Sequence, residues 1–256
     1  MKIISYLLAA CALLTACSSG GLKEPTAAER SKALAQTKTH LAMEYMRAQD
    51  YRQAIAAAED AIKSDNRYVY AWLMRAQIYQ QLKVADKADE YFRHALNLEP
   101  NNAEVNNNYG WFLCDLMQRP NDAMAYFDRA LADPTYPNPE VANMNKGICS
   151  GRMGQYGLAK AYFERAIAAA PWFYPVQKEM ARNELASGNV QNADYLFRQY
   201  QSRVNALNAD DLLLGWKIAR AMGKGQAAYE YEAQLRTLYP YSPELEQIST
   251  GTGTAP

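Results

Sequence analysis

The sequence has little that would support binding of nucleic acids or metal ions. Its 256 residues carry 27 Lys and Arg against 27 Asp and Glu, so the formal net charge is zero. Such a chain lacks the excess of basic side chains that neutralises nucleic-acid phosphates. Only two histidines occur, and neither His40 nor His94 has cysteines or carboxylates at metal-ligand spacing. The composition therefore argues against a nucleic-acid partner, a metal or another cofactor.

The motifs of common enzymes are missing as well. The sequence has no HExxH, GxSxG or Walker pattern. Gly223-Lys224-Gly225 lacks the Ser or Thr of a phosphate loop, and the cysteines have no partner histidine for nucleophilic work. We therefore expect a chain that is not an enzyme and that takes no small-molecule substrate.

Only one long apolar run is present, and it lies at the N-terminus. It extends from Ile3 to Leu14, which is too short to span a bilayer and is typical of an export signal. The run ends at Leu14-Thr15-Ala16-Cys17, which resembles the lipobox of bacterial lipoproteins. The resemblance implies a signal peptide at residues 1–16 and lipid attached to Cys17. The alternative is an ordinary secretory signal that is cut elsewhere.

The residues that follow this signal also indicate a lipoprotein. Ser18 stands where inner-membrane lipoproteins usually carry Asp, so the sorting rule of that class implies the outer membrane, with the chain facing the periplasm. Ser, Gly and Pro follow, and we assign residues 17–30 to the lipidated cysteine and a flexible tether. At the other end, residues 249–256 have the composition of a disordered tail.

The body of the chain repeats with a period of about 34 residues. Alanine recurs at spacings of 34, 35, 36, 34 and 34 residues, at Ala54, Ala88, Ala123, Ala159, Ala193 and Ala227. An aromatic ring follows four residues after five of them, as Phe92, Phe127, Phe163, Phe197 and Tyr231. A small residue precedes each alanine by twelve or thirteen positions, as Ala42, Ala76, Gly110, Gly147, Ala181 and Gly215.

This pattern resembles the tetratricopeptide repeat, a unit of helix A, a turn and helix B. The small residues let the two helices approach, and we expect each ring to fill the gap to the next unit. The sequence thus predicts an all-α fold, a right-handed superhelix of six repeats within residues 31–248. The predicted repeats are residues 35–68, 69–102, 103–138, 140–173, 174–207 and 208–241.

One segment interrupts the repeats. Residues 133–139 contain three prolines and are longer than the usual turn between units. We expect this stiff loop to divide the six repeats into three plus three.

Two cysteines remain in the repeats. Cys114 and Cys149 both lie near the middle of helix A in neighbouring repeats, where Gly110 and Gly147 permit close approach of the backbones. Export would place them in an oxidising compartment. We predict a disulfide between them. The alternative is two buried thiols acting as small apolar fillers, because packed helices are often too far apart for a disulfide.

The register of the repeats also predicts a binding surface. In tetratricopeptide proteins, positions 2, 5, 9 and 12 of helix A line a groove. Carried over to this sequence, they give the candidate partner-binding residues Met43, Met46, Tyr70, Leu73, Gln77, Asn107, Trp111 and Met144. Ile148, Arg182 and Leu185 fall in the same register, although Trp111 and Ile148 fit the core of their repeats equally well. Methionine, aromatic and amide side chains suit an extended or helical peptide.

The combination of these features resembles a narrower family. The lipobox at Cys17 is joined by six repeats and by the segments Tyr109-Gly110-Trp111-Phe112-Leu113-Cys114 and Asn145-Lys146-Gly147-Ile148-Cys149. Together they resemble the PilF/PilW pilotin family of type IV pilus biogenesis and stability lipoproteins. The resemblance implies a non-catalytic protein that binds the pilus secretin and assists its localisation and multimerisation in the outer membrane. A second hypothesis is a lipoprotein adaptor that regulates peptidoglycan-modifying enzymes.

Overall fold

The computed structural model describes residues 24–251, and these residues form thirteen α-helices and no strand. The predicted all-α class is therefore confirmed. The helices are α1 Ala27–Arg47, α2 Tyr51–Ser64, α3 Val69–Gln81, α4 Ala85–Leu98, α5 Ala103–Asp115, α6 Pro120–Leu131, α7 Pro139–Arg152, α8 Tyr156–Ala169, α9 Pro175–Ala186, α10 Val190–Gln201, α11 Ala209–Ala221, α12 Gly225–Leu238 and α13 Pro243–Ser249. The predicted signal peptide, Cys17 and residues 252–256 of the predicted tail lie outside the described residues.

Helices α1 to α12 form six consecutive pairs, one for each predicted repeat. Pro100 and Pro171 follow the ends of α4 and α8, as the repeat pattern requires, because proline lacks the amide hydrogen needed to continue a helix. Asn102 begins α5 by accepting a hydrogen bond from the backbone N–H of Val105 at 3.1 Å.

The start of α1 corrects the predicted tether. The hydroxyl of Thr26 accepts from the backbone N–H of Glu29 at 3.2 Å, and the carboxylate of Glu29 accepts from the N–H of Thr26 at 2.6 Å. This reciprocal capping box begins the helix at Ala27. Residues 27–30, which we assigned to a flexible tether, are the first turn of α1.

Helix α13 is an element that the repeat pattern did not predict. Ser242 caps it by accepting from the N–H of Leu245, and the helix ends at Ser249, the first residue assigned to the tail. Leu245 packs into a cluster that includes Leu212, Trp216 and Leu235. The helix therefore covers apolar side chains of the sixth repeat.

The chain divides into two compact units, and the boundary lies between Ala71 and Trp72. In the first unit, α1 and α2 meet through alanines that are fully buried, namely Ala35, Ala42, Ala54, Ala58 and Ala61. A methyl side chain takes little room, so two helices lined by alanine can approach closely.

In the second unit, aromatic rings lie directly on glycine backbones. A methyl group placed on Gly110 would be 2.8 Å from Cε1 of Phe127, and one placed on Gly147 would be 2.5 Å from Cε1 of Phe163. These rings contact helix A of their own repeat. Our expectation that each ring fills the gap to the next repeat is therefore only partly correct. Phe197 does reach the next repeat, at 2.9 Å from a methyl placed on Gly215.

The loop at residues 133–139 does not divide the protein. Tyr136 is buried and packs with Ala103, Ala130 and Ala142, which belong to α5, α6 and α7. The proline-rich segment lies inside the second compact unit, and the expected division into three plus three is wrong. The reason is that the tyrosine supplies a packing contact that proline and turn chemistry do not reveal.

The turn between helix A and helix B contains one left-handed residue in every repeat. Glycine occupies this position in repeats four to six, as Gly154, Gly188 and Gly223. In repeats one to three the position is held by Gln49, Lys83 and Gln118, with φ of 60°, 58° and 54°. The conformation is therefore shared by all six repeats, although only three of them have the residue that adopts it without strain.

Candidate functional site

A cavity of about 510 Å³ lies among the A helices of repeats three to six, which are α5, α7, α9 and α11. We call it the A-helix pocket, and its lining includes Trp111, Ile148, Arg152, Arg182, Leu214 and Lys217. All of these residues belong to the second compact unit.

The pocket offers apolar surface. Leu214 and Phe163 line it as core residues that are 1% exposed, and Leu185 is 9% exposed. Trp111 and Ile148 are only partly buried, so their side chains remain accessible. An apolar side chain of a ligand would therefore exchange water for these groups on entering.

One wall of the pocket is fixed by contacts between α5 and α7. The guanidinium of Arg152 lies 5.4 Å from the ring centre of Trp111 and donates to the carbonyl of Cys114 at 2.9 Å and to Asp115 Oδ1 at 2.8 Å. Next to it, the Cα atoms of Cys114 and Cys149 lie 6.0 Å apart, which is within the range of the predicted disulfide. These links hold the indole and the guanidinium in a defined arrangement.

Another part of the lining belongs to an ion-pair network between α9 and α11. Arg182 donates to Asp210 Oδ2 at 2.8 Å and to Glu179 Oε2 at 3.2 Å. Lys178 pairs with Asp210 at 3.2 Å and with the buried Asp211 at 2.9 Å. Burial acts to raise the pKa of Asp210, but Arg182 and Lys178 outweigh it and hold the pKa below its usual value.

Lys217 differs from the other cations of the pocket. Within residues 24–251, no carboxylate lies at ion-pair distance from its ammonium. Burial lowers the pKa of Lys217, and repulsion from Arg182 lowers it further, against an opposing effect of Asp210. The pocket thus contains an ammonium group that is partly desolvated and lacks a counter-ion.

Among the predicted groove residues, Trp111 lines this pocket, and the register neighbours Ile148, Arg182 and Leu185 line it with Trp111. The predicted amide residues have partners on other A helices. Gln77 donates to Asn108 Oδ1 at 2.8 Å, and Asn107 accepts from Asn145 at 3.1 Å.

The other predicted residues are not among those that line the pocket. Leu73 is buried at 3% exposure, and Met144 packs against the core cluster around Phe163. Met43 and Met46 are half-buried, and Tyr70 is 40% exposed.

The groove register missed two cations that line the pocket. Arg152 and Lys217 stand at positions 13 and 10 of their repeats, outside the positions 2, 5, 9 and 12 that we used. One signal in the sequence could have indicated them: helix A of repeats four, five and six each contributes a basic residue, as Arg152, Arg182 and Lys217.

Two features are absent from the part of the chain that the structure describes. Within residues 24–251, no group of three or more His, Cys, Asp or Glu side chains is arranged to hold a metal ion. Over the same residues, no helix has the length and apolar character needed to cross a bilayer.

Comparison with known proteins agrees with this architecture. The sequence model of the tetratricopeptide repeat family matches residues 26–187, which is more than half of the chain. The chain is therefore a tetratricopeptide repeat protein, and the predicted fold is confirmed.

Three matches, to PilW and to PilF, define the family more closely. A crystal structure of PilW, described as a widely conserved type IV pilus biogenesis factor, is 62% identical with a TM-score of 0.74, and the alignment covers 84% of this chain and 98% of that one. The type IV pilus assembly protein PilF of Pseudomonas aeruginosa is 28% identical over 92% of this chain and 93% of its own length. A structure of Pseudomonas aeruginosa PilF is 27% identical with a TM-score of 0.68, covering 87% of this chain and 99% of that one. The chain belongs to the PilW/PilF family of type IV pilus biogenesis factors.

Proposed function

We propose that this protein is a lipid-anchored, non-catalytic component of the outer membrane that binds the type IV pilus secretin. Binding assists localisation and multimerisation of the secretin and thereby supports pilus biogenesis or stability. The observation that carries the proposal is the 62% identity to the pilus biogenesis factor PilW across 98% of that chain. Relatives so similar over their whole length usually share their role.

The non-catalytic part of the proposal is supported by the repeat architecture and by the chemistry of the A-helix pocket. Arg152 and Arg182 are held by hydrogen bonds to neighbouring helices, and the apolar groups beside them offer contact surface. Such an arrangement suits recognition of a polypeptide. The anchor in the proposal is an acyl group on Cys17, which would hold the chain on the bilayer without a membrane-spanning helix.

Deletion of the gene tests the proposed role. We expect surface pili and secretin multimers to be lost while cell shape stays normal, and both should return when the wild-type chain is supplied. Chaining or bulging cells with intact secretin rings would contradict the proposal and favour the adaptor of peptidoglycan-modifying enzymes.

The anchor is tested by Cys17→Ser. We expect the wild-type chain, extracted from outer membranes, to carry the mass of acyl groups at Cys17. The variant should lack this mass and leave secretin multimers reduced in the outer membrane. A wild-type chain without acyl mass would refute the anchor and leave the secretin proposal standing on the deletion experiment.

The binding surface is tested by supplying the Trp111→Ala and Tyr70→Ala variants to the deletion strain. Each should reduce the amount of secretin recovered with the protein, because each removes a large aromatic contact. Trp172→Ala is the matched control, since Trp172 is 72% exposed in the turn before α9 and does not line the pocket. Full secretin assembly with both test variants would show that the groove residues are wrongly assigned.

A further inference from the structure

The cations that line the A-helix pocket differ in whether a carboxylate compensates their charge. Its lining includes three cations, Arg152, Arg182 and Lys217, and two carboxylates, Glu179 and Asp210. Arg182 pairs with both carboxylates, and Arg152 pairs with Asp115 beside the pocket. Among the described residues, Lys217 is left without a carboxylate at ion-pair distance. One negative charge supplied by a ligand would therefore compensate the ammonium of Lys217.

Most of the donors available to such a ligand are side chains. Most lining residues come from α5, α7, α9 and α11, and Tyr156 and Phe163 come from α8. Residues inside a helix use their backbone N–H groups in the helical hydrogen bonds, whereas Tyr156 and Asp210 lie in first turns, where these groups have no partner within the helix. Arg152 and Arg182 already pair with carboxylates, so Lys217 is the cation of the lining that is left for a carboxylate of a ligand. The three hydrogens of an ammonium can serve a single carboxylate without a fixed direction of approach.

Apolar surface lies in the same cavity. Ile148, Leu185 and Leu214 line it together with the ring of Trp111. A ligand that fills the cavity must therefore place an apolar group and an acidic group within a few residues of each other. The volume of about 510 Å³ has room for two side chains of this kind.

We propose that the A-helix pocket receives an internal segment of a partner protein in which an apolar side chain is followed by Asp or Glu, with the carboxylate on Lys217. The inference rests on the proposed function only in that the chain binds polypeptides. The proposed site differs from the predicted groove, because most of the predicted groove residues do not line the pocket. The proposal also specifies the chemistry of the partner segment.

Binding of defined peptide mixtures to the full-length protein, purified from membranes in detergent, tests the proposal. Two fluorescein-labelled nonapeptide mixtures are amidated at the C-terminus and degenerate except at the central pair. This pair is Leu-Asp in one mixture and Leu-Asn in the other. A third mixture ends in Leu with a free carboxylate. We expect the Leu-Asp mixture to bind about tenfold more tightly than the other two, measured by fluorescence anisotropy at low salt.

Substitutions connect this preference to the pocket. Lys217→Met keeps the length of the side chain and removes its charge, and it should abolish the preference for Leu-Asp. Lys160→Met is the matched control, because Lys160 is an exposed lysine of α8 that does not line the pocket, and it should keep the preference. Trp111→Ala should weaken binding of the Leu-Asp and Leu-Asn mixtures by similar factors. This provides a second measure that does not depend on Lys217.

Three outcomes would overturn the proposal. They are equal binding or no binding of Leu-Asp and Leu-Asn, a preference that survives Lys217→Met, and tighter binding of the free chain end than of Leu-Asp. These results concern the chemistry of the pocket alone. Normal pili in the deletion strain would instead refute the proposed function, whichever peptide mixture bound.

Discussion

At the scale of single residues, the contact between Gly147 and Phe163 leaves no room for a side chain. A methyl at Gly147 would lie 2.5 Å from Cε1 and 2.6 Å from Cδ1 of the ring, which is fully packed. Gly147→Ala should lower the free energy of unfolding by about 2 kcal/mol, because the ring or α7 must shift to relieve the overlap. Urea denaturation followed by circular dichroism measures this loss.

Gly157→Ala is the matched control for this substitution. Gly157 lies in α8, and a methyl placed there would meet nothing within 4 Å. Alanine has the higher helix propensity, so this variant should be as stable as the wild type or slightly more stable. Equal urea midpoints for the two variants would show that the ring does not pack against Gly147 in solution.

The carboxylate of Asp210 gives a pH-dependent prediction. Its pKa lies below the usual value, since Arg182 and Lys178 outweigh burial, so pairing stabilises the fold above the unfolded pKa of about 3.9 and this contribution is lost as the pH falls. Because Asp210 is partly exposed, Asp210→Asn should cost about 0.5–1 kcal/mol at pH 7. The difference between variant and wild type should shrink below about pH 4, measured from urea midpoints across pH. A difference that stays constant down to about pH 3 would contradict the charge pairing.

At the scale of elements, the turn between α3 and α4 contains a lysine in the left-handed conformation. Lys83 has φ of 58°, whereas the same turn position in repeat five is Gly188 with φ of 88°. Lys83→Gly should raise the free energy of unfolding by about 0.5–1 kcal/mol, because glycine adopts this conformation without the steric cost of Cβ. Gly188→Ala should have the opposite sign. Thermal melts check both signs, and destabilisation by Lys83→Gly would mean that the lysine side chain contributes more than its strain costs.

The link between α5 and α7 gives a second prediction for elements. We expect Cys114 and Cys149, in protein taken from the oxidising compartment, to resist alkylation until a reductant is added. Because the disulfide closes a loop of 35 residues, its reduction should lower the free energy of unfolding by up to about 4 kcal/mol. Peptide mass mapping counts the labels. Two alkylated cysteines without reductant would support the alternative of free, buried thiols.

The sequence predicted the helix pairs well because periodic alanines and rings determine how two helices pack. It was less successful at the ends of elements. The capping box of Thr26 and Glu29 was visible in the sequence but was masked by the flexible composition of its neighbours. Helix α13 has no repeat signature, and it packs on the sixth repeat through Leu245 and Ile248. Capping and packing contacts near each end determine these boundaries, and the repeat pattern carries no information about such contacts.

At the scale of the whole molecule, α13 closes the apolar cluster of the last repeat. Leu245 packs with Leu212, Trp216 and Leu235, so Leu245→Ala should lower the free energy of unfolding by about 2–3 kcal/mol. Glu246→Gln on the exposed side of the same helix is the control and should change it by only a few tenths of a kcal/mol. Chemical denaturation compares the variants. Equal stability of Leu245→Ala and wild type would show that α13 is not needed to cover the repeat.

The lining of the A-helix pocket was only partly predictable from the sequence. Trp111, Arg182 and Leu185 line it at groove positions that the repeat pattern defines, although their role in binding a partner stays a prediction. Lys217 was missed because its importance depends on which carboxylates lie near it, and ion pairing between helices is a property of the folded chain. The same limit explains Tyr136, because its contacts with α5, α6 and α7 form only in the folded chain.

The glycine contacts of α5, α7 and α11 have a consequence for protein engineering. In these three repeats an aromatic ring contacts the backbone of a glycine. The equivalent positions on α3 and α9 are Ala76 and Ala181. The two kinds of repeat are therefore not interchangeable modules. A chimera that exchanged α7 for α9 would bring a methyl group against Phe163, and we expect module swapping to succeed only between units that share the same small residue.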